Sequence, residues 1–207
     1  MAEPILDIAV WALPLLVAVV LHEVAHGYVA FRLGDPTAQQ LGRLSLNPLP
    51  HIDPFGTVLL PAMLILSGSP FVFGYARPVP VDFRRLRDPK RDMVLVAAAG
   101  PAVNVLLAAL SATALKLVVG ASAEPGLLAT ALLYSVFINI TLAVFNMLPI
   151  PPLDGGRVAV GLLPRALALP MARLEPVGML VVVVLLMTGT LREVIGPVQQ
   201  AFLRILL

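Results

Sequence analysis

The sequence predicts an α-helical polytopic membrane protein, in which several helices cross the bilayer. Of its 207 residues, 59% are hydrophobic and only 13% are charged, whereas an ordinary soluble domain carries roughly 25% charged residues. Several apolar stretches are long enough to cross a hydrocarbon core of about 30 Å as helices. Because no polar block between them is large enough to fold alone, we predict a single membrane-embedded domain over residues 1–207.

Four apolar stretches are the candidate membrane elements, and they cover residues 8–31, 56–73, 93–119 and 127–148. The second is broken by Pro61, Gly68 and Pro70, so it is a poor candidate for a continuous helix. A fifth, shorter apolar run covers residues 177–190. The sequence leaves open whether residues 191–207 form an interfacial helix or a frayed end.

Charged residues assign the ends of these elements to the two sides of the membrane. The stretch DFRRLRDPKRD, between the second and third elements, is the most basic loop, and the positive-inside rule places it in the cytoplasm. Arg157, Arg165 and Arg173 follow the fourth element and belong on the same side. The N-terminal stretch with Glu3 and Asp7 and the stretch GASAEPG contain no Lys or Arg, so they belong outside.

The overall composition excludes two other classes of site. A net charge of +2 is too small to indicate nucleic-acid binding. The chain has no cysteine, which excludes a disulfide framework and a thiolate metal site. Any metal must therefore be bound by His, Asp or Glu.

The stretch VVLHEVAHGYVAF, residues 19–31, carries an HExxH pattern inside the first apolar element. His22 and His26 are four residues apart and share one face of a helix. This spacing lets two imidazoles bind one Zn²⁺, while Glu23 stays beside the metal as a base that takes a proton from water. An ionisable group in hydrocarbon costs about 2.5–3.5 kcal/mol. A metal site therefore outweighs a chance match or residues that only tie helices together.

A catalytic zinc needs a third protein ligand, and the candidates are His51, Asp53, Asp154 and, with less support, Asp35. The stretch NMLPIPPLDGG, residues 146–156, favours Asp154. Its prolines end the fourth helix, so we expect Asp154 on a non-helical turn, with Gly155 and Gly156 admitting close backbone. The alternative is an interfacial loop whose aspartate caps the next helix.

HEVAHGYVAFRLGD, NMLPIPPLDGG and GPAVN together closely resemble the site-2 protease family of intramembrane zinc metalloproteases. NPLPHIDPFGT is similar to the short bacterial branch of that family, which lacks a PDZ domain. The resemblance implies that His22, His26 and Asp154 bind one zinc ion and that Glu23 is the catalytic base. It also implies that Asn146 helps to hold an unwound substrate, drawn from transmembrane proteins of the bacterial cytoplasmic membrane.

The shared metal constrains the topology independently of the resemblance. His22 and His26 lie near the end of the first element, and Asp154 follows the end of the fourth. Both elements must then run from outside to inside, with the active site nearer the cytoplasmic face. This requires an even number of crossings before the fourth element starts. We therefore predict that residues 56–73 do not cross but return to the same side.

Three further polar residues are candidate substrate-binding groups: Asn146, His51 and Asn104. A loop histidine is by default solvated or interfacial, but His51 could instead be lowered over the metal. Hydrogen bonds between helices explain Asn104 and Asn139 adequately. For Asn146, substrate binding and helix packing are equally supported.

The sequence therefore predicts an intramembrane zinc endopeptidase that cleaves transmembrane segments. The alternative is a membrane metal-binding protein or metal transporter without hydrolytic activity. A transporter should show ligands leading across the membrane, often in repeated halves, whereas these polar residues cluster near one face. The predicted partners are a transmembrane protein substrate and the lipid bilayer.

Overall fold

The computed structural model of the chain describes residues 3–69, 74–121 and 126–207. Within these ranges the secondary structure is helical, and no residue belongs to a β-strand. The α-helices are α1 Glu3–Arg32, α2 Thr37–Gln40, α3 Leu60–Leu66, α4 Pro89–Ala121, α5 Leu127–Asn146, α6 Asp154–Leu162, α7 Arg165–Ala172, α8 Glu175–Met187 and α9 Thr190–Leu206. A π-helical turn, Pro54–Leu59, leads into α3.

Three helices are long and apolar enough to cross a membrane. They span Val10–Arg32, Pro89–Gly120 and Leu127–Asn146, which confirms the first, third and fourth predicted elements. Helices α7 and α8 together form a further apolar pair that is bent by 70°. The chain is therefore a multi-pass α-helical membrane protein.

Hydrogen bonds between the three long helices give their relative directions. From the start of α4 onward, successive bonds join His26 to Val96 and His22 to Asn104, so α4 runs antiparallel to α1. Further along α4, Ser111 bonds to Ser135 on α5, whereas Asn104 bonds to the later residue Asn139. Helix α5 is thus antiparallel to α4 and parallel to α1, as the sequence argument requires.

Small residues allow these helices to approach closely. In a bilayer, helix association depends on packing and on interhelical hydrogen bonds, because lipid tails are as apolar as the side chains. The buried positions of the three helices are accordingly rich in alanine: Ala18, Ala30, Ala97, Ala108, Ala112, Ala129 and Ala143.

The connection between α1 and α4 starts and returns at one end of the bundle. Its apolar helix, Pro54–Leu66, is about 20 Å long at 1.5 Å per residue, too short for a core of about 30 Å. After it, Tyr75 N–H donates to Gly56 O at 3.0 Å. Near the two ends of the connection, Arg87 N–H donates to Leu33 O at 3.1 Å. The described part of the connection thus begins and ends at one end of the bundle, as the prediction for residues 56–73 requires. Residues 70–73 of that element lie outside the described ranges, and the return to the same side of the membrane stays a prediction.

The last helix, α9, resolves what the sequence left open about residues 191–207. Leu191 and Ile195 are buried in a cluster with Leu148, Leu153 and Val182. Outside this cluster, a hydrogen bond of 2.6 Å joins α9 to α5, between Gln199 Nε2 and Thr141 Oγ1. The tail is a helix packed against the bundle and is not frayed.

One local expectation is wrong: Asp154 does not lie on a non-helical turn but is the first residue of α6. The residue before it, Leu153, has extended backbone at φ −61° and ψ 158° and caps the helix without a side-chain bond. A carboxylate in the first turn is favoured by the helix dipole. The prolines end α5 as predicted, and the chain then starts a new helix at once.

Candidate metal centre

Three ligand atoms from two parts of the chain converge beside α1. His22 Nε2 and His26 Nε2 lie 3.0 Å apart. Asp154 Oδ2 lies 3.1 Å from the first and 3.3 Å from the second. Among the described residues, this is the only group of three His, Asp or Glu side chains close enough to share a metal ion.

The backbone around Asp154 explains how α6 can start so close to α1. A Cβ atom on Gly155 would lie 2.2 Å from Met147 O, and one on Gly156 would lie 2.3 Å from Pro151 N. Larger residues at these two positions would push α6 away from the turn that follows α5. The Gly-Gly pair therefore brings Asp154 to the histidines, as the sequence predicted.

Gly100 on α4 forms the opposite wall of the cluster. A Cβ atom there would lie 2.4 Å from His26 Nε2 and 2.6 Å from His22 Nε2. Such contacts are shorter than any van der Waals contact between these atoms. The glycine of the GPAVN motif thus provides the space that both imidazoles need.

The tautomer of His26 follows from its second nitrogen. His26 Nδ1 lies 2.7 Å from Val96 O, and a carbonyl oxygen can only accept. Nδ1 must therefore carry the proton. In the neutral imidazole, Nε2 then keeps a lone pair that lies near Asp154 and is available to a metal.

The tautomer of His22 is set by two asparagines. Asn139 Nδ2 donates to Ser135 O at 2.9 Å, so Asn139 Oδ1 faces Asn104 and accepts from its Nδ2 at 2.8 Å. Asn104 Oδ1 is thereby left 2.5 Å from His22 Nδ1, which must donate. His22 Nε2, like that of His26, is left with a lone pair.

The donor set fits zinc. Two imidazole lone pairs and Asp154 Oδ2 face one another, and this buried oxygen has no hydrogen-bond partner in the described part of the chain. Three acceptors so close together repel one another unless a cation lies between them. Tetrahedral ligands placed 2.0–2.1 Å from a zinc ion lie about 3.3 Å from each other, close to the observed separations of 3.0–3.3 Å.

The cluster opens into a cavity of about 400 Å³. Its walls come from α1, α4, α5, α6, α8 and the segment before α4, and include Val19, Ala76, Pro78, Phe145, Arg157 and Met179. The ligand atoms therefore have one accessible side, where water and a peptide can approach. Such an open side is typical of a catalytic metal site and not of a structural one.

Glu23 lines the same cavity but contacts none of the three ligand atoms by hydrogen bonding. Its Oε2 accepts a hydrogen bond of 2.7 Å from the backbone N–H of Val79. No donor to Oε1 is found among the described residues. One carboxylate oxygen is thus held by the backbone, and the other is available to water.

The three candidate substrate-binding residues have different positions. Asn146 lines the cavity, with Nδ2 donating to Leu142 O at 3.0 Å. Asn104 does not line it; this residue is 0% exposed and its amide bonds only to protein groups. His51 is 2% exposed, lies 2.9 Å from Ser45 O through Nε2 and does not line the cavity.

Two other aspartates were candidates for the third ligand, and both accept hydrogen bonds from backbone N–H groups instead. Asp53 accepts from the N–H groups of Phe55 and Gly56 at the start of the π-helical turn. Asp35 is fully buried and accepts from the N–H groups of Thr37 and Asp82. Neither belongs to the group that could share a metal ion.

Sequence reasoning missed the segment before α4, which supplies Ala76, Pro78 and Val79 to the cavity. No short-range pattern identifies it, because extended backbone rich in proline is usually a surface connection. It also missed Arg157 as a cavity residue. Its position three residues after Asp154, on the same helix face, was the available signal.

Comparison with known proteins identifies relatives whose names describe them as putative zinc metalloproteases. The sequence model described as Peptidase family M50 matches residues 114–189. "Putative zinc metalloprotease YwhC" of Bacillus subtilis (strain 168) is 40% identical over 192 residues, which make up 90% of this chain and 84% of that protein. "Putative zinc metalloprotease Rip2" of Mycolicibacterium smegmatis is 34% identical over 192 residues, 91% of this chain and 69% of that protein. No solved structure matches the chain significantly.

Proposed function

Since the chain belongs to peptidase family M50, the site-2 protease family of zinc metalloproteases, we propose that it is an endopeptidase that cleaves transmembrane segments of other membrane proteins. His22, His26 and Asp154 bind the single zinc ion, and Glu23 is the catalytic base. The observation that carries this proposal is the position of the ligand cluster. Its histidines belong to a helix that is long and apolar enough to span the membrane.

The chemistry divides between the metal and the protein groups. Zinc, when bound, supplies a Lewis acid that activates water and polarises the carbonyl of the scissile amide. Glu23 accepts a proton from the attacking water and passes it to the leaving amine. Because Oε2 is held by Val79 N–H, Oε1 is the oxygen that makes these transfers. Val96 O and Asn104 Oδ1 keep both imidazoles oriented toward the metal.

A transmembrane substrate must unwind before it can be cleaved, because helical amide bonds are hydrogen-bonded and shielded. The segment before α4, which has no regular secondary structure, offers a backbone partner for such an unwound peptide. Tyr75 and Arg77 bond away from the cavity, to Gly56 and His51. Between them, the N–H and C=O of Ala76 have no partner among the described residues, and Ala76 lines the cavity. This arrangement supports pairing by strand addition, with the Asn146 amide as a further contact.

The orientation in the membrane follows from charge. The end of the bundle that holds the cluster is also where α1 ends at Arg32 and where the basic stretch before α4 begins. Positive residues favour the cytoplasmic side. We therefore place the protein in the bacterial cytoplasmic membrane, with its active site nearer the cytoplasmic face and its substrate arriving laterally from the bilayer.

The experiment that tests this proposal compares wild type with Glu23→Gln in detergent, with zinc content measured in both. Two substrates are used: labelled casein, which is unfolded, and a reporter whose only membrane segment is a single apolar helix. Wild type should cleave both, and Glu23→Gln should keep its zinc and lose at least about 100-fold in rate. Glu193→Gln, an exposed glutamate on α9, is the matched control and should stay active.

Two outcomes would overturn different parts of the proposal. Cleavage of both substrates by Glu23→Gln at the wild-type rate would exclude Glu23 as the base. Cleavage of casein without cleavage inside the reporter's membrane segment would leave a zinc peptidase and exclude intramembrane proteolysis.

A further inference from the structure

Residues 74–82, here called the strap, have no regular secondary structure and pass α1 at the HExxH motif, where Val79 contacts Glu23. Besides the bond from Val79 N–H to Glu23, the strap contacts α1 through the Val79 side chain. A Cβ atom on Gly27 would lie 2.7 Å from Val79 Cγ1, so glycine after His26 leaves room for this valine. The strap therefore contacts Glu23 and Gly27, which directly follow the two proposed metal ligands on α1.

Arg43 holds the strap through two backbone carbonyl groups. Its guanidinium Nη2 donates to Arg77 O at 2.8 Å and to Pro78 O at 3.3 Å. These are the two residues that precede Val79. Arg43 is only 8% exposed, and its Nε has no partner among the described residues. Burying an arginine that binds only carbonyl groups, and no carboxylate, costs free energy of desolvation. We therefore expect Arg43 to have a role that offsets this cost.

The strap is fixed on both sides of Val79. Before it, Arg77 N–H donates to His51 O at 2.9 Å. After it, Asp82 N–H donates to Asp35 Oδ2 at 2.7 Å. The bonds made by Arg43 lie between these two anchors and are the ones nearest to Val79.

Arg43 also interacts electrostatically with Glu23, the proposed base. Burial lowers the pKa of the Arg43 guanidinium below its ordinary value, the neighbouring Arg77 lowers it further, and the Glu23 carboxylate opposes both.

We propose that Arg43 is a positioning residue for the catalytic base: it fixes the backbone of residues 77–78 so that the Val79 N–H holds Glu23 Oε2 and leaves Oε1 directed at the cavity. This inference rests on the proposed role of Glu23 as base. A carboxylate that is free to rotate spends most of its time away from the attacking water. Misplacement of a reacting group by about 1 Å can cost roughly 100-fold in rate, so the strap contributes to catalysis without touching the substrate through Arg43.

Arg43→Met and Arg43→Lys test the proposal, with Arg165→Met as the control because Arg165 is exposed on α7. Three quantities are measured in the purified full chain: zinc content, hydrogen exchange of the amides in residues 74–82, and kcat and KM on labelled casein. Arg43→Met should keep its zinc, exchange faster across the strap and lose roughly 10–100-fold in kcat, with little change in KM. Arg43→Lys, which keeps a donor and a charge, should recover part of this loss.

Substitutions at Val79 test the proposal independently, because they do not remove a buried charge. Val79 precedes Pro80 and is already confined to extended backbone, so Val79→Pro removes the N–H with little change in conformation. Val79→Ala keeps the N–H and loses only side-chain packing. The proposal expects a kcat loss in Val79→Pro that clearly exceeds the loss in Val79→Ala, at unchanged zinc content.

The possible failures are distinguishable. Unchanged kcat in Arg43→Met and Val79→Pro, or an effect on KM alone, would overturn the positioning role while Glu23→Gln remained inactive and the proposed function stood. Full activity of Glu23→Gln would overturn the proposed function and this inference with it. Wild-type exchange across the strap in Arg43→Met would show that Arg43 does not hold it, whatever the activity.

Discussion

Asn104 Oδ1 lies 2.5 Å from His22 Nδ1, at the contact between α4 and α1. Through this bond the GPAVN motif supports His22, a proposed zinc ligand, and its glycine, Gly100, lies against both imidazoles. The bond continues through Asn104 Nδ2 to Asn139 on α5. One polar chain thus links all three long helices to His22, and each helix affects the geometry of the metal centre.

Asn104→Leu should weaken zinc binding by roughly 10–100-fold, because partners that orient a ligating histidine typically contribute that much to affinity. Competition with a chelator of known affinity measures the change. Ser111→Ala, on the same helix but bonded only to Ser135, is the control and should bind zinc like wild type. Wild-type affinity in Asn104→Leu would show that this residue does not orient His22.

Gly100→Ala should abolish stoichiometric zinc binding, because the added methyl group would lie 2.4–2.6 Å from the ligand nitrogens. Gly120→Ala is a matched control on the same helix, since a Cβ atom there meets nothing within 4 Å. Alanine is also the better helix former by roughly 0.5–1 kcal/mol, so this control should fold at least as well as wild type. Metal analysis of both purified variants makes the comparison, and one zinc per chain in Gly100→Ala would contradict the packing described.

Single cysteines test the topology, since the chain has none of its own. Ser67→Cys, at the end of α3, should stay unlabelled by an impermeant thiol reagent added outside intact cells, because we propose that the connection returns to the cytoplasmic side. Gly126→Cys, exposed between α4 and α5, should be labelled. Labelling of Ser67→Cys from outside would mean that the connection crosses the membrane.

The sequence predicted most of the centre because each part has a local signal. The spacing of His22 and His26 defines a helix face, and the polar residues stand out within apolar sequence. The need for one shared metal then gave the parallel directions of α1 and α5. The local backbone at Asp154 was predicted wrongly, because the chain turns at Pro151 and Pro152 and starts α6 after one extended residue, Leu153. His51 and Asn104, two of the three candidate substrate-binding residues, do not line the cavity.

The strap and the hydrogen-bond partners within the polar chain could not be predicted, because both depend on contacts between distant parts of the chain. Val79 lies 56 residues from Glu23, and Arg43 lies 34 residues from Arg77. Nothing in the local sequence distinguishes the buried arginine from the exposed ones. Hydrogen bonds between helices were the expected role of Asn104, but its partner His22 Nδ1 was not predicted.

The central claim is that His22, His26 and Asp154 bind one zinc ion, and metal analysis of the purified chain tests it most directly. Wild type should contain one zinc per chain, Asp154→Ala should lose most of it, and His51→Ala should keep it, because His51 lies away from the cluster. Undiminished zinc in Asp154→Ala, or a loss in His51→Ala instead, would contradict the account by moving the third ligand elsewhere.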